Sequence, residues 1–385
     1  MKVGLIRGAY LSQFEMQTFE QMPEDVELTA YRIRSNRFDT SIIDVPIRHL
    51  WCIDEPFSLI SGRAAFYFNL FLQATCGLDY YHFGLVEKLA DKDIAHTMET
   101  FNAFSHQALQ AKRKHGTRLA VTVWENRPFA AERYSAKRRM KYEVLHNADL
   151  LLAMTPRAAE CLKSEGADES RIFVQPPGIN LERFSPRPRP ADLAEEHGLG
   201  SEDFVFLSVA ALRWEKGVYD LLYGFHRLVK KTGRSDLKLI YAGSGPAEKE
   251  LRRRAERLGL SDQVMITRFP YEDMHRAYNL ADAFVLASAP RRGWLEQFGY
   301  VLPEALASGV PIITTRSGSI PEVTGDAALL MPPADFIAMA ENMQRLLSDH
   351  ALRERLAREG RQRAEEHYDC RKNALEIKKA YERIL

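Results

Sequence analysis

Cysteine is scarce in this 385-residue chain, and the four present, Cys52, Cys76, Cys161 and Cys370, stand far apart with no CxxC pair. That spacing suggests neither a disulfide framework nor a zinc site, and it suits a reducing cytoplasm. Long apolar runs are missing too. The most apolar stretch, Ala64 to Leu72, is too short to cross a bilayer and is flanked by Arg63 and Gln73. The opening residues Met1 to Arg7 run directly into a strand-like segment, without the three regions of a signal peptide. Nor is there an excess of one charge: 53 Lys and Arg face 52 Asp and Glu, so no global field recruits nucleic acid. An anionic ligand must then be held by local groups.

What is present is an ordinary soluble-enzyme composition, 45% hydrophobic and 27% charged, in a chain longer than one hydrophobic core usually serves. Short apolar runs alternate with helix-length amphipathic segments from end to end, the pattern of parallel sheets with crossover helices. Candidate strands in the first half are Val3–Ile6, Leu28–Ile33, Ile94–Met98, Arg118–Val123, Leu150–Ala153 and Ile172–Val174. In the second half they are Phe204–Val209, Leu237–Tyr241, Val264–Ile266, Ala283–Leu286, Val310–Thr314 and Ala328–Leu330. Between the halves, Pro186, Pro188 and Pro190 alternate with other residues and can continue neither a helix nor a sheet ladder. The reading is therefore a domain over 1–184, a linker over 185–202, a second domain over 203–366 and a terminal helix over 367–385. One apolar face of that helix, Ala374, Ile377, Ala380, Tyr381 and Ile384, has the first domain as a candidate docking place.

The chemistry concentrates in the second half. Gly309 and Pro311 stop a helix and Pro303 is tolerated only in a first turn, so a helix should begin between Gly299 and Leu302. Glu296 then sits in the loop before it and Glu304 inside it. The N–H groups of Gly299, Tyr300 and Val301 would point from a helix start, where the dipole and unpaired donors favour a phosphate. Lys216, with Arg213 nearby, lies between a strand end and a helix start, where ligands bind in open α/β sheets. Gly243 and Gly245 form a tight turn after the next strand, and Phe269 follows the one after that, as a candidate contact for a nucleotide base.

Taken together, Lys216-Gly217, Gly243-Ser-Gly245-Pro, Glu296 through Glu304 and Gly309-Val-Pro-Ile-Ile resemble the donor-binding half of the family 4 retaining glycosyltransferases, which are glycosyl transferases of group 1. The resemblance covers 200–385 with specific motifs and 1–185 with looser ones. It implies a GT-B architecture: α/β, two Rossmann-like doubly wound domains facing each other across a cleft. It further implies that Lys216 and the Gly299 to Val301 amides bind the diphosphate of a UDP- or GDP-linked hexose, Glu304 the ribose and Glu296 the transferred sugar. The reaction would retain anomeric configuration and use no metal and no cofactor beyond the nucleotide sugar. Relatives usually carry an arginine five residues before the lysine; Ala211 stands there, and Arg213 supplies the guanidinium.

In this likeness the first domain takes the acceptor, which is a sugar, a lipid-linked glycan or a small molecule. Gly8 allows close approach in its first loop. Many relatives have a histidine near Trp124, so Glu125 and His96 become the candidates for contact with the sugar or the acceptor hydroxyl. Asp91 and Asp93 form a DxD sequence, read as a turn before a strand rather than a metal site. Arg133, Lys137, Arg138 and Lys141 can share one face of a basic helix, which would give a cytoplasmic protein a peripheral contact with the inner face of a membrane. Two rival readings keep the fold: a catalytically silent partner subunit, and a sugar-nucleotide epimerase or phosphorylase.

Overall fold

In the computed structural model, residues 1–34, 36–53, 55 and 61–385 are described, with the backbone alone for 62, 64–66 and 69. The apolar stretch Ala64–Leu72 lies in the helix Gly62–Thr75, and four of its side chains are therefore outside the described residues. Among the described residues no helix is long and apolar enough to cross a membrane.

The chain divides into two compact units. Unit 1 comprises Met1–Gly178 and Cys370–Leu385, and unit 2 comprises Ile179–Asp369. Unit 1 is built on β1 (Lys2–Gly8), β2 (Glu27–Arg32), β3 (Ile47–His49), β4 (Ile94–Met98), β5 (Arg118–Val123), β6 (Leu150–Ala153) and β7 (Ile172–Val174). Unit 2 is built on β8 (Phe204–Val209), β9 (Leu237–Ala242), β10 (Val264–Thr267), β11 (Ala283–Leu286), β12 (Ile312–Thr315) and β13 (Ala328–Met331). The strand orders are β3-β2-β1-β4-β5-β6-β7 and β10-β9-β8-β11-β12-β13, with the neighbouring strands parallel. Both are doubly wound, and each reverses direction once, between β1 and β4 and between β8 and β11. At such a reversal the loops leaving the two strands part company and leave a crevice at their carboxyl ends.

The strands are apolar throughout because helices cover both faces of a parallel sheet. In unit 2 the helix Val218–Thr232 buries Val218, Leu221, Leu222, Phe225 and Leu228, the stripe expected from its 3.6-residue period, and stops at Gly233 with φ +66°. The strand absent from the sequence reading, β3, is a three-residue edge strand, half-buried to exposed, and carries no apolar run.

The proline run lies within unit 2. The arginines between the prolines tie it down: the Arg187 N–H donates to Asn279 Oδ1 at 2.7 Å, and the Arg189 guanidinium meets Asp282 at 2.7 Å. The helix Ala191–Glu196 then follows inside 185–202. At the other end the helix Cys370–Glu382 is an element of unit 1, where Ile377, Ala380 and Tyr381 join Val3, Leu5, Phe19 and Ile94 in one core cluster.

Candidate functional site

In unit 2 the crevice beside the β8–β11 reversal is furnished by two loops. The first, after β8, ends in a single 3-10 turn over Trp214–Lys216, closed by Gly217 at φ +65°. A Cβ on Gly217 would lie 2.0 Å from the Ala287 carbonyl oxygen, so only glycine lets this turn press against the end of β11. That approach carries Lys216 to the second loop. Lys216 Nζ lies 2.6 Å from Glu296 Oε2, and the same oxygen accepts a hydrogen bond from the Ser288 hydroxyl at 2.6 Å. The ammonium also stands 4.7 Å from the centre of the Trp294 ring. Glu296 is buried, yet its carboxylate keeps a cation and a hydroxyl.

A third strand end fastens the backbone of Glu296. Its carbonyl accepts from the Ser319 N–H at 3.0 Å, and a Cβ on Gly318, whose φ is +57°, would come within 2.0 Å of that oxygen. The turn Ser317-Gly318-Ser319 after β12 was not singled out in the sequence, although the strand-end rule that found Lys216 applies to it equally. Ser288 was also missed, because its role depends on where Glu296 arrives.

The helix after this loop runs Val301–Ala307, with Tyr300 as its N-cap residue and no side-chain cap. Its start falls within the expected 299–302, and Gly299, at φ +76°, makes the turn into it. Glu304 in its first turn is 2% exposed, with Oε1 accepting from the Tyr271 hydroxyl at 2.9 Å and Oε2 from Tyr278 at 2.8 Å. Burial raises its pKa to about 7 against the opposing hydrogen bonds from Tyr278 and Tyr271 and the charge of Arg183. Arg183 itself stacks on Tyr271, 4.5 Å from the ring centre. The two tyrosines are a second group that spacing alone did not connect to the glutamate.

The remaining expected residues of unit 2 are placed as follows. Arg213 is exposed, its nearest carboxylate being Glu215 at 3.9 Å. Phe269 is half-buried, with its ring edge-on to His197 at 5.3 Å. Gly243 and Gly245 serve the protein's own backbone: a Cβ on either would lie 2.0 Å from the Ala210 oxygen or 2.4 Å from the Leu212 oxygen. The turn is also pinned to the β8 loop by a hydrogen bond, the Leu212 N–H donating to Ser244 O at 2.8 Å.

In unit 1, Gly8 ends β1 at φ +58°, and a Cβ there would meet the Phe104 ring at 2.9 Å. Glu125, after β5, is gripped by Arg127 through both oxygens, at 3.0 and 2.9 Å. His96 requires a correction. Fully buried in β4, its ring bridges the Tyr381 hydroxyl at 2.6 Å and Thr122 Oγ1 at 2.7 Å, so both nitrogens are used inside the core. Burial, reinforced by the charge of Arg7, holds its pKa well below the usual value. His96 is thus a structural strut joining the C-terminal helix to the sheet.

The basic helix is corrected too. In the helix Ser135–Asn147, Lys137 is buried against Asp79, and Lys141 is buried between Glu165 at 2.7 Å and Glu132 at 3.0 Å. Half of the proposed membrane-facing charge is thereby neutralised inside unit 1. Asp93 of the DxD sequence accepts the Lys2 N–H at 2.6 Å.

Comparison with known proteins bears on both units. Residues 191–363 match the family described as glycosyl transferases group 1. Mannosylfructose-phosphate synthase of Agrobacterium fabrum is 28% identical over 281 residues, covering 67% of this chain and 60% of that protein. A D-inositol 3-phosphate glycosyltransferase of Streptomyces bingchenggensis is 31% identical over 231 residues, covering 56% and 48%. The matched region thus spans about half to three fifths of these relatives. The crystal structure of Anabaena HepE in complex with UDP aligns over 100% of both chains with a TM-score of 0.79 at 15% identity. The match to glycosyl transferases group 1 thus falls within unit 2, and the two parallel-sheet units have the GT-B fold of the solved structures to which the chain aligns.

Proposed function

We propose that the protein transfers a hexosyl group from a nucleoside-diphosphate sugar, UDP- or GDP-linked, to an acceptor hydroxyl, with retention of anomeric configuration and without a metal. The observation that carries this reading is the Lys216–Glu296–Ser288 cluster at the switch point of unit 2, next to the helix that begins at Val301. Ligands with a charged phosphate bind at such a place. HepE has been crystallised with UDP and with UDP-glucose, and a similar Mycolicibacterium smegmatis mannosyltransferase is GDP-mannose-dependent, which supports a donor of one of these two kinds.

In this mechanism Lys216 uses one N–H toward Glu296 and has two left for the diphosphate oxygens. Its charge and the amides at the helix start stabilise the leaving group as the bond from anomeric carbon to phosphate oxygen breaks. The acceptor oxygen attacks from the same face, and its proton passes to the departing phosphate oxygen, so neither glutamate acts as general base. Glu296 holds hydroxyls of the transferred sugar. Glu304, with its oxygens fixed by two tyrosines, serves the ribose end.

The test is a panel of nucleotide sugars read by thermal shift and by turnover on the wild type and on Glu296→Ala. At least one donor is expected to stabilise both proteins and to be consumed rapidly only by the wild type. A panel in which no nucleotide or nucleotide sugar stabilises the wild type would overturn the assignment.

A further inference from the structure

Glu99 in unit 1 has no part in the chemistry described above, yet its surroundings are unusual. It follows β4 directly, beside the β1–β4 reversal, and is 5% exposed. Its φ of +59° puts a side-chain-bearing residue in the left-handed region, a strain that persists only where neighbours over-determine the backbone. The neighbours are identifiable. Oε1 accepts the N–H groups of Trp124 at 2.9 Å and Glu125 at 3.0 Å, and the Glu99 N–H donates to Thr122 O at 2.8 Å.

Oε2 is buried and has no hydrogen-bond partner. The side chain lines a cavity of about 10 Å³ whose other walls include Glu125, Lys141, Cys161 and Glu165. That is room for a single water-sized group, and the polar walls give it partners. The cations nearby are already engaged, Lys141 by Glu165 and Glu132, and Arg127 by both oxygens of Glu125. Among the described residues Glu99 has no ion pair, so an ionised Glu99 would face two other carboxyls with two backbone amides to offset its charge. Burial and the Glu125 charge raise its pKa to about 8, with Glu165 adding to the rise and the two amide bonds opposing it.

We propose that Glu99 is a positioning residue that works as a neutral carboxylic acid. One oxygen sets the Trp124–Glu125 backbone at the end of β5, and the protonated oxygen donates to one bound water in the cavity beside Glu125. Its role in transfer rests on the reading of Glu125 as facing the sugar or the acceptor; its protonation state does not.

The first experiment follows thermal unfolding of ligand-free wild type, Glu99→Gln and Glu99→Ala from pH 5 to pH 9. Glutamine reproduces the neutral acid, with an oxygen that accepts both amides and an N–H that donates. In the wild type the folded protein keeps a proton that the unfolded chain releases, so stability falls as pH rises from the ordinary glutamate range to about 8. Glu99→Gln lacks that loss, and its Tm should gain on the wild type across this window and run parallel above it. A difference that stays constant with pH would overturn the neutral state. Glu99→Ala should melt below Glu99→Gln at every pH, and equal melting of the two would overturn the clamp. In transfer assays Glu99→Ala should lose about ten-fold or more in kcat with the donor KM unchanged, and Glu99→Gln should restore most of it. If no donor turns over at all, the proposed function fails, while the melting series still decides the state of Glu99.

Discussion

The two sheets of this protein share a topology and differ in what they hold at the same place. At the β8–β11 reversal a buried carboxylate, Glu296, is matched to a cation, Lys216, and to a hydroxyl, Ser288. At the β1–β4 reversal the buried carboxyl of Glu99 is matched to backbone N–H groups, while Arg127 pairs with Glu125. The topology selects where a ligand can sit. The loops decide the charge placed there: a Lys216–Glu296 pair in unit 2, and in unit 1 a buried carboxyl held by backbone amides beside the Arg127–Glu125 pair. Fold and chemistry are separable in one chain.

The largest expected effect tests the donor side of this contrast. Glu296→Ala should reduce transfer by about 10²-fold or more while nucleoside diphosphate affinity stays within a few-fold, measured by initial rates and by calorimetry. A matching loss of diphosphate affinity would remove the distinction between a sugar-side and a phosphate-side group. Next, Gly217→Ala should destabilise unit 2 by about 3 kcal/mol, because the added Cβ meets the Ala287 oxygen and the backbone sits at φ +65°. Denaturant unfolding checks this, and a near-neutral result would show that the turn does not depend on glycine.

Glu304→Ala leaves the hydroxyls of Tyr271 and Tyr278 without their acceptor and should cost about 2 kcal/mol as well as weakening nucleotide binding. The native Glu304 also has a pH signature. With a folded pKa of about 7, above the ordinary glutamate value, it favours the folded state most at low pH, and that contribution declines as pH rises toward 7. Glu304→Gln should flatten this slope in a Tm-against-pH series. The smallest effect belongs to unit 1: Tyr381→Phe removes one hydrogen bond to His96 and should cost about 1 kcal/mol without altering donor binding. A change in donor affinity would return His96 to the list of site residues.

Much of this was legible in the chain itself. Twelve of the thirteen strands among the described residues coincide with apolar runs, because a strand covered on both faces must be apolar along its length. The exception, β3, is an edge strand that packs little. Lys216 and Glu296 were found because strand ends and helix starts leave marks in glycine and proline. Their ion pair was not legible, since 80 residues separate them and Gly217 has to pass under the Ala287 carbonyl to bring them together. Basic residues gave the opposite error. Lys137 and Lys141 read as part of a basic membrane-facing helix face, yet their carboxylate partners Asp79 and Glu165 come from other parts of the chain.

By itself the sequence determined the class of fold, the strand order's repeating βα rhythm and the loops from which a phosphate site would be drawn. Those follow from local rules: periodicity, turn residues and the dipole at a helix start. Only the tertiary structure decided which charges were neutralised, which glycines press against the chain's own carbonyls, and that His96 is a strut while Glu99 is left with a buried unpartnered oxygen. Burial and pairing are set by residues distant in the chain, and the ionisation of a carboxyl depends on both.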